Sequence, residues 1–129
     1  MDRVCHFEIP YSDKDRVQGF YEQVFGWQVH DMPGMPYSFL ITTPVDDKQY
    51  PQQPGGINGG MYQRGNEGSQ TPVVVIEVES CEQRVKDVAA AGGSAVMGPV
   101  PIADMGIYAQ VKDPEDNIIG LWQPLPRGD

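Results

Sequence analysis

The hydrophobic and polar positions of this chain follow one order twice. From Val4 to Ile9 apolar and polar residues alternate, which is typical of a half-buried strand with His6 and Glu8 on one face. Apolar residues then recur at helical spacing, at Val17, Phe20, Tyr21, Val24 and Phe25. Ser12 can cap the start of this predicted helix, and Gly26 can end it in the left-handed conformation.

The remaining pattern completes two similar halves. In the first half, strands are predicted at Trp27–His30, Tyr37–Thr42 and Ile57–Gln63. In the second half, strands are predicted at Val73–Val78, Ser94–Met97, Tyr108–Lys112 and Ile118–Gln123, with a loop over Gly98–Gly106. The second helix begins at a capping box formed by Ser80 and Gln83.

Each half therefore reads strand, helix, strand, strand, strand. The predicted fold class is α+β, a single domain over residues 1–129 with two βαβββ modules, at about 1–64 and 71–124. One curved sheet with one helix cannot cover both sheet faces, so we expect an open, concave, cleft-bearing sheet surface. Such a cleft is where small molecules tend to bind.

Charge and composition narrow the partners. The formal net charge is −9, so a nucleic acid or an anionic membrane surface would be repelled. No apolar run approaches the roughly 20 residues that span a bilayer, and no signal segment leads the chain. Cys5 and Cys81 form no metal-binding or disulfide pattern. A cytoplasmic protein with two reduced thiols is therefore expected.

Four short segments carry a resemblance to a known family. They are His6–Ile9, the run FYEQVFGW from Phe20 to Trp27, Ala91–Gly93, and the turn DPEDN at Asp113–Asn117 before Ile118. Together they resemble the vicinal oxygen chelate superfamily, also called the glyoxalase, bleomycin resistance protein and extradiol dioxygenase superfamily. The resemblance implies paired βαβββ modules around a cleft, and often a homodimer.

The resemblance also implies a place for a metal. In the metal-dependent members a ligand comes from the first strand and an acid from the last strand of each module, and these positions are His6, Gly59 or Gly60, Val73 and Gly120 here. Only His6 has a side chain that can ligate. We therefore expect no cofactor, with a divalent metal held only if Glu8 or Glu77 replaces a missing ligand.

His6 and Glu8 are the candidate catalytic residues. His6 could act as a base or an orienting donor, because the usual pKa of histidine lies near neutrality, or it could be a structural histidine on the sheet. Glu8 and Glu77 should face the cleft with it by alternation, either as acid–base groups with a raised pKa or as solvated residues at strand ends.

The candidate substrate-binding residues combine glycines with rings. Tyr62 and Trp122 each follow a glycine by two residues, so the glycines should leave space that the rings enclose, unless the strand aromatics, Tyr37 among them, are ordinary core residues. The full set is Gly60, Tyr62, Val73, Glu77, Tyr108, Gly120 and Trp122.

Two functions from different classes follow. The first is a protein that binds a small apolar or aromatic molecule in the cleft without the full metal site of the superfamily. The alternative is a metal-dependent or metal-free lyase, isomerase or dioxygenase of the same superfamily that uses His6. A third possibility is a regulatory module whose cleft is packed with side chains.

Overall fold

The computed structural model describes residues 1–65 and 68–126, which form two compact units. The first unit contains residues 6–65 and 70–72, and the second contains residues 1–5, 68–69 and 73–126 of the described chain. The first strand, β1, contributes its opening residues to the second unit and the remainder to the first.

The order of elements is that of two βαβββ modules, so the predicted α+β fold is confirmed. The first module has β1 (Val4–Tyr11), α1 (Lys14–Phe25), β2 (Gln28–Asp31), β3 (Tyr37–Ile41) and β4 (Gly59–Gln63). The second has β5 (Val73–Glu77), α2 (Cys81–Ala90), β6 (Ser94–Ile102), β7 (Gly106–Lys112) and β8 (Ile118–Pro124).

The two modules share one pairing scheme. In the first, β4 pairs in parallel with β1 and antiparallel with β3, which also pairs antiparallel with β2. In the second, β8 pairs in parallel with β5 and antiparallel with β7, which pairs antiparallel with β6. The last strand of each module therefore lies between the first and the third.

The helix ends follow local side-chain chemistry. Asp13, rather than the predicted Ser12, caps α1, since its carboxylate accepts a hydrogen bond from the Arg16 amide. Gly26 ends α1 with φ of 70°, as predicted, and Ser80 caps α2 by accepting from the Gln83 amide.

Strand β6 corrects the predicted loop over Gly98–Gly106. It continues from Ser94 to Ile102, with irregular register against β7 between Ala95 and Val100. Proline is tolerated in a strand at an edge or a bulge, because no ladder hydrogen bond is then lost. Edge position and irregular register let β6 contain Pro99 and Pro101, which a local sequence signal assigns to a loop.

The two helices differ in how they pack. α2 covers a core of Val78, Cys81, Ala109, Val111 and Leu121 in the second unit, and its Cys81 is fully buried. An apolar helical stripe ordinarily faces a core, yet α1 has no buried residue among those described. Its inner side is limited to partly buried residues such as Tyr21, whose ring stacks on Trp27 with centroids 4.6 Å apart. None of the described helices is long and apolar enough to cross a membrane.

The core of the second unit predicts a stability difference between two valines. Val111 is 3% exposed and Val74 is 46% exposed. Val111→Ala should lower the free energy of unfolding by about 1.5–3 kcal/mol, because two buried methyl groups are lost and a cavity remains. The matched change Val74→Ala should stay within about 0.5 kcal/mol of wild type. Urea unfolding followed by circular dichroism measures both, and equal losses would contradict this core.

Candidate functional site

The sheet of the first unit has one face toward α1 and one face away from it. The Phe7 ring lies 5.7 Å from the ring of Trp27, which stacks on Tyr21 of α1, so Phe7 points to the helix side. Because side chains alternate along a strand, His6 and Glu8 point to the opposite side.

Neighbouring strands add aromatic residues to this second face. On β3, Ser38 donates to the Asp31 carboxylate, which also accepts from Lys14 of α1, so Ser38 lies on the helix side. Tyr37 and Phe39 therefore lie on the other side. We call this surface the helix-free face, and its residues are His6, Glu8, Tyr37, Phe39, Gly60 and Tyr62.

The centre of the helix-free face is a contact between Tyr37 and His6 above Gly60. The Tyr37 Oη atom lies 2.8 Å from His6 Nε2, within hydrogen-bond distance. A Cβ atom added at Gly60 would overlap the hydroxyl and ring of Tyr37. Glycine is therefore required at position 60, because the phenol occupies the space that any larger residue would need.

Burial makes His6 a neutral group. Desolvation lowers the pKa of its imidazole from 6.5 to about 4, since the charged form loses water. At neutral pH the ring is uncharged, and one of its nitrogens donates while the other accepts. His6 and Tyr37 together can thus offer a hydrogen bond to a ligand, whereas a base with a pKa near 4 has little driving force to take a proton at neutral pH.

Glu8 lies beside this pair. It is 6% exposed and pairs in register with Gly60 on β4. A carboxylate is rarely so buried unless neighbouring groups satisfy it. Tyr62 completes the first-unit site, two residues after Gly60 on the same face.

The second unit repeats the glycine and tyrosine arrangement. Val75 pairs with Gly120 as Glu8 pairs with Gly60, and Tyr108 pairs with Trp122 as Tyr37 pairs with Tyr62. A Cβ atom added at Gly120 would lie 2.9 Å from Val75 Cγ2 and 3.2 Å from Tyr108 Oη. Both glycines were expected to leave open space, but a tyrosine fills that space in each unit.

Polar contacts of Tyr108 differ from those of Tyr37. Gln110 Nε2 donates to Tyr108 Oη at 2.8 Å, and Gln110 Oε1 accepts from the Ser69 amide at 3.1 Å. Val73, the counterpart of His6, is fully buried and apolar. The second unit thus has a tyrosine–amide pair where the first has a tyrosine–imidazole pair.

The other predicted residues of the second unit serve different contacts. Glu77 lies 3.9 Å from Arg3 in an exposed ion pair, and it pairs in register with Trp122. The structure thus places His6, Glu8, Gly60 and Tyr62 on one face of the first unit, while Val73, Glu77, Tyr108, Gly120 and Trp122 lie in the second unit.

Tyr37 is the residue that sequence reasoning left outside the predicted site. Its contact with His6 joins strands far apart in sequence, so no local pattern marks it. The one available signal was the repeat, because Tyr37 and Tyr108 occupy matching positions in the two modules.

The residues present do not fit the metal site that the resemblance implies. Within residues 1–65 and 68–126, no group of three or more His, Cys, Asp or Glu side chains is placed to hold a metal ion. Gly60 and Gly120 have no donor atoms, and Val73 has no lone pair. His6 Nε2, the nitrogen a metal would need from this face, is already within hydrogen-bond distance of Tyr37.

Three comparisons relate the chain to known proteins. Residues 3–43 match the family profile described as bleomycin resistance protein-like N-terminal. A protein of Mycobacterium bovis, named provisionally as a glyoxylase, is 27% identical over 120 residues, which cover 90% of this chain and 43% of the relative. The chain therefore spans less than half the length of the curated relatives it matches.

Solved structures share the fold at low sequence identity. A glyoxalase/bleomycin resistance protein/dioxygenase superfamily member from Vibrio splendidus is 18% identical with a TM-score of 0.59, over 95% of this chain and 99% of that one. The methylmalonyl-CoA epimerase of Mycobacterium tuberculosis is 15% identical with a TM-score of 0.59, over 95% and 87%. Together with the profile match, these likenesses confirm the resemblance predicted from the sequence.

The low pKa of His6 predicts a loss of stability in acid. Between pH 6.5 and about 4 the unfolded chain binds a proton at His6 that the folded chain does not, so the free energy of unfolding falls as pH falls through this window. The loss from this group approaches about 3 kcal/mol at its limit. His6→Gln should flatten the slope measured by urea unfolding from pH 7 to 4.5, whereas the control His30→Gln, at an exposed position, should not. An unchanged slope in His6→Gln would contradict the burial of a neutral imidazole.

The contact above Gly60 predicts a coupled pair of substitutions. Gly60→Ala should cost about 1–3 kcal/mol of stability, because its methyl group meets the Tyr37 side chain. The matched change Gly65→Ala meets no atom within 4 Å and should have little effect. In the double variant Tyr37→Ala with Gly60→Ala, the two losses should fall short of their sum. Additive losses in denaturant unfolding would show that the two residues do not touch.

Proposed function

We propose that this chain, which has the fold and the sequence signature of the vicinal oxygen chelate superfamily, binds a small apolar or aromatic molecule without the metal site of that superfamily. The proposed ligand site is the helix-free face of the first unit. Its ligand would be an uncharged, planar molecule with one hydrogen-bonding group.

The observation that carries this proposal is the contact of Tyr37 with His6 above Gly60. A phenol stands where the metal-dependent arrangement would require an acidic side chain, and it engages the single imidazole available as a ligand. The same contact leaves a neutral hydrogen-bonding pair, because burial keeps His6 uncharged at neutral pH. A neutral pair favours a neutral polar group on the ligand over an ion.

The surrounding side chains support an aromatic ligand. Tyr37 and Phe39 meet edge to face with ring centroids 5.6 Å apart, and both remain half-buried, as do His6 and Tyr62. Rings that are partly exposed on one sheet face offer flat apolar area together with polar edges. Glu8, the one acidic side chain of this face, is buried and so presents little charge to a ligand.

An enzymatic role for the same face is the second candidate. The likeness to the methylmalonyl-CoA epimerase of Mycobacterium tuberculosis favours it by analogy of fold. In such a lyase, isomerase or epimerase, His6 or Glu8 would move a proton. A pKa near 4 weighs against His6 as a base at neutral pH, because proton transfer is most effective when the pKa lies near the working pH.

A thermal-shift screen of aromatic and other apolar compounds, on protein dialysed against a chelator, tests the binding proposal. We expect a subset of aromatic compounds to raise the melting temperature in the absence of added metal. Tyr37→Phe should weaken their binding about 3- to 10-fold in calorimetry, because one hydrogen bond is worth about 0.5–1.5 kcal/mol. The control Tyr50→Phe, at an exposed position in the loop before β4, should bind as wild type does.

Two results would overturn the proposal. One is that no compound of a broad panel stabilises the chelator-treated protein while nickel, manganese or iron does. The other is that binding survives in Tyr37→Phe and His6→Gln alike, since the ligand would then lie elsewhere. Turnover that is abolished by His6→Gln would instead support the enzymatic candidate.

A further inference from the structure

One side of α1 presents large apolar side chains to solvent. Phe20 and Val24 are 51% and 58% exposed, and they lie one turn apart on the same side of the helix. The Phe20 ring is held in place by edge contacts with Tyr21 and Phe25, at centroid distances of 5.0 and 6.0 Å. An ordered apolar patch of this kind marks a surface for association.

Gly19 lies beside Phe20 in the middle of α1. Glycine inside a helix is destabilising relative to alanine, and a Cβ atom at Gly19 would meet nothing within 4 Å. Packing against the described residues of this chain therefore does not require glycine here. A bare backbone on an exposed helix face instead allows another helix or ring to approach closely.

The spacing places these features on one surface. Arg16, Gly19, Phe20 and Gln23 stand at positions i, i+3, i+4 and i+7, and Val24 follows one turn after Phe20. We call these five residues the α1 face. It combines a projecting ring with a gap directly beside it, so two copies of the same face are complementary in shape.

Charge also favours a second copy of this chain as the partner. The whole chain has a net charge of −9, so two copies repel each other over most approaches. The α1 face carries one charged residue, and Arg16 is positive. A copy approaching this face meets an attractive charge and apolar area.

We propose that two copies of this chain pair through the α1 face, with Phe20 of each copy packed over Gly19 of the other. Such a contact is isologous, and a two-fold axis closes it into a dimer. The proposal is independent of what the helix-free face binds.

Sedimentation velocity over a range from low to high micromolar concentration tests the pairing. Wild type should dimerise, and Gly19→Leu should raise the dimer dissociation constant by at least about tenfold by filling the gap. Leucine is a better helix former than glycine, so loss of the dimer in this variant does not reflect loss of the helix. Phe20→Glu should abolish the dimer, because it replaces the ring with a charge of the same sign as the chain.

Matched controls separate this surface from other exposed positions. Gly65→Leu and Tyr50→Glu make the same kinds of change at a glycine with open space around it and at an exposed ring outside α1. Both should leave the dimer unchanged. A monomeric wild type at high micromolar concentration would overturn the proposal, and so would a dimer that survives both Gly19→Leu and Phe20→Glu with circular dichroism unchanged.

Discussion

The hydrogen-bond contact between the Tyr37 hydroxyl and His6 Nε2 is the constraint on which the first unit's candidate site depends. It requires Gly60 beneath the phenol, since any side chain there would displace the ring. It also determines what the imidazole can do, because a buried neutral ring already engaged by a hydroxyl is neither a strong base nor an available metal ligand. Sterics, protonation and ligand chemistry on this face therefore follow from one contact.

The second unit shows that tyrosine over glycine is a property of the duplicated fold. Tyr108 lies against Gly120 as Tyr37 lies over Gly60, although the hydrogen-bond partner is Gln110 instead of a histidine. The repeated part is the packing, which fills the gap on a strand in both units. The part that differs is the polar partner, and this difference makes the first unit the better candidate for ligand recognition.

The two helices diverge in the same way. α2 covers a dry core and buries Cys81, whereas α1 has no buried residue among those described and exposes Phe20 and Val24. Their sequences have similar apolar spacing, so spacing alone does not distinguish a helix that packs within the chain from one that also offers a surface to a partner.

The sequence by itself determined the module order, the α+β class, the cap at Ser80 and the end of α1 at Gly26, because each depends on local periodicity or on one residue's backbone preference. It also identified His6 and the missing ligand side chains, which are matters of residue type. Only the tertiary structure decided that β6 runs through Pro99 and Pro101, since edge pairing is not visible locally. It likewise decided that Tyr37 reaches His6 across the sheet and fills the space above Gly60, because strand register brings together residues that are distant along the chain.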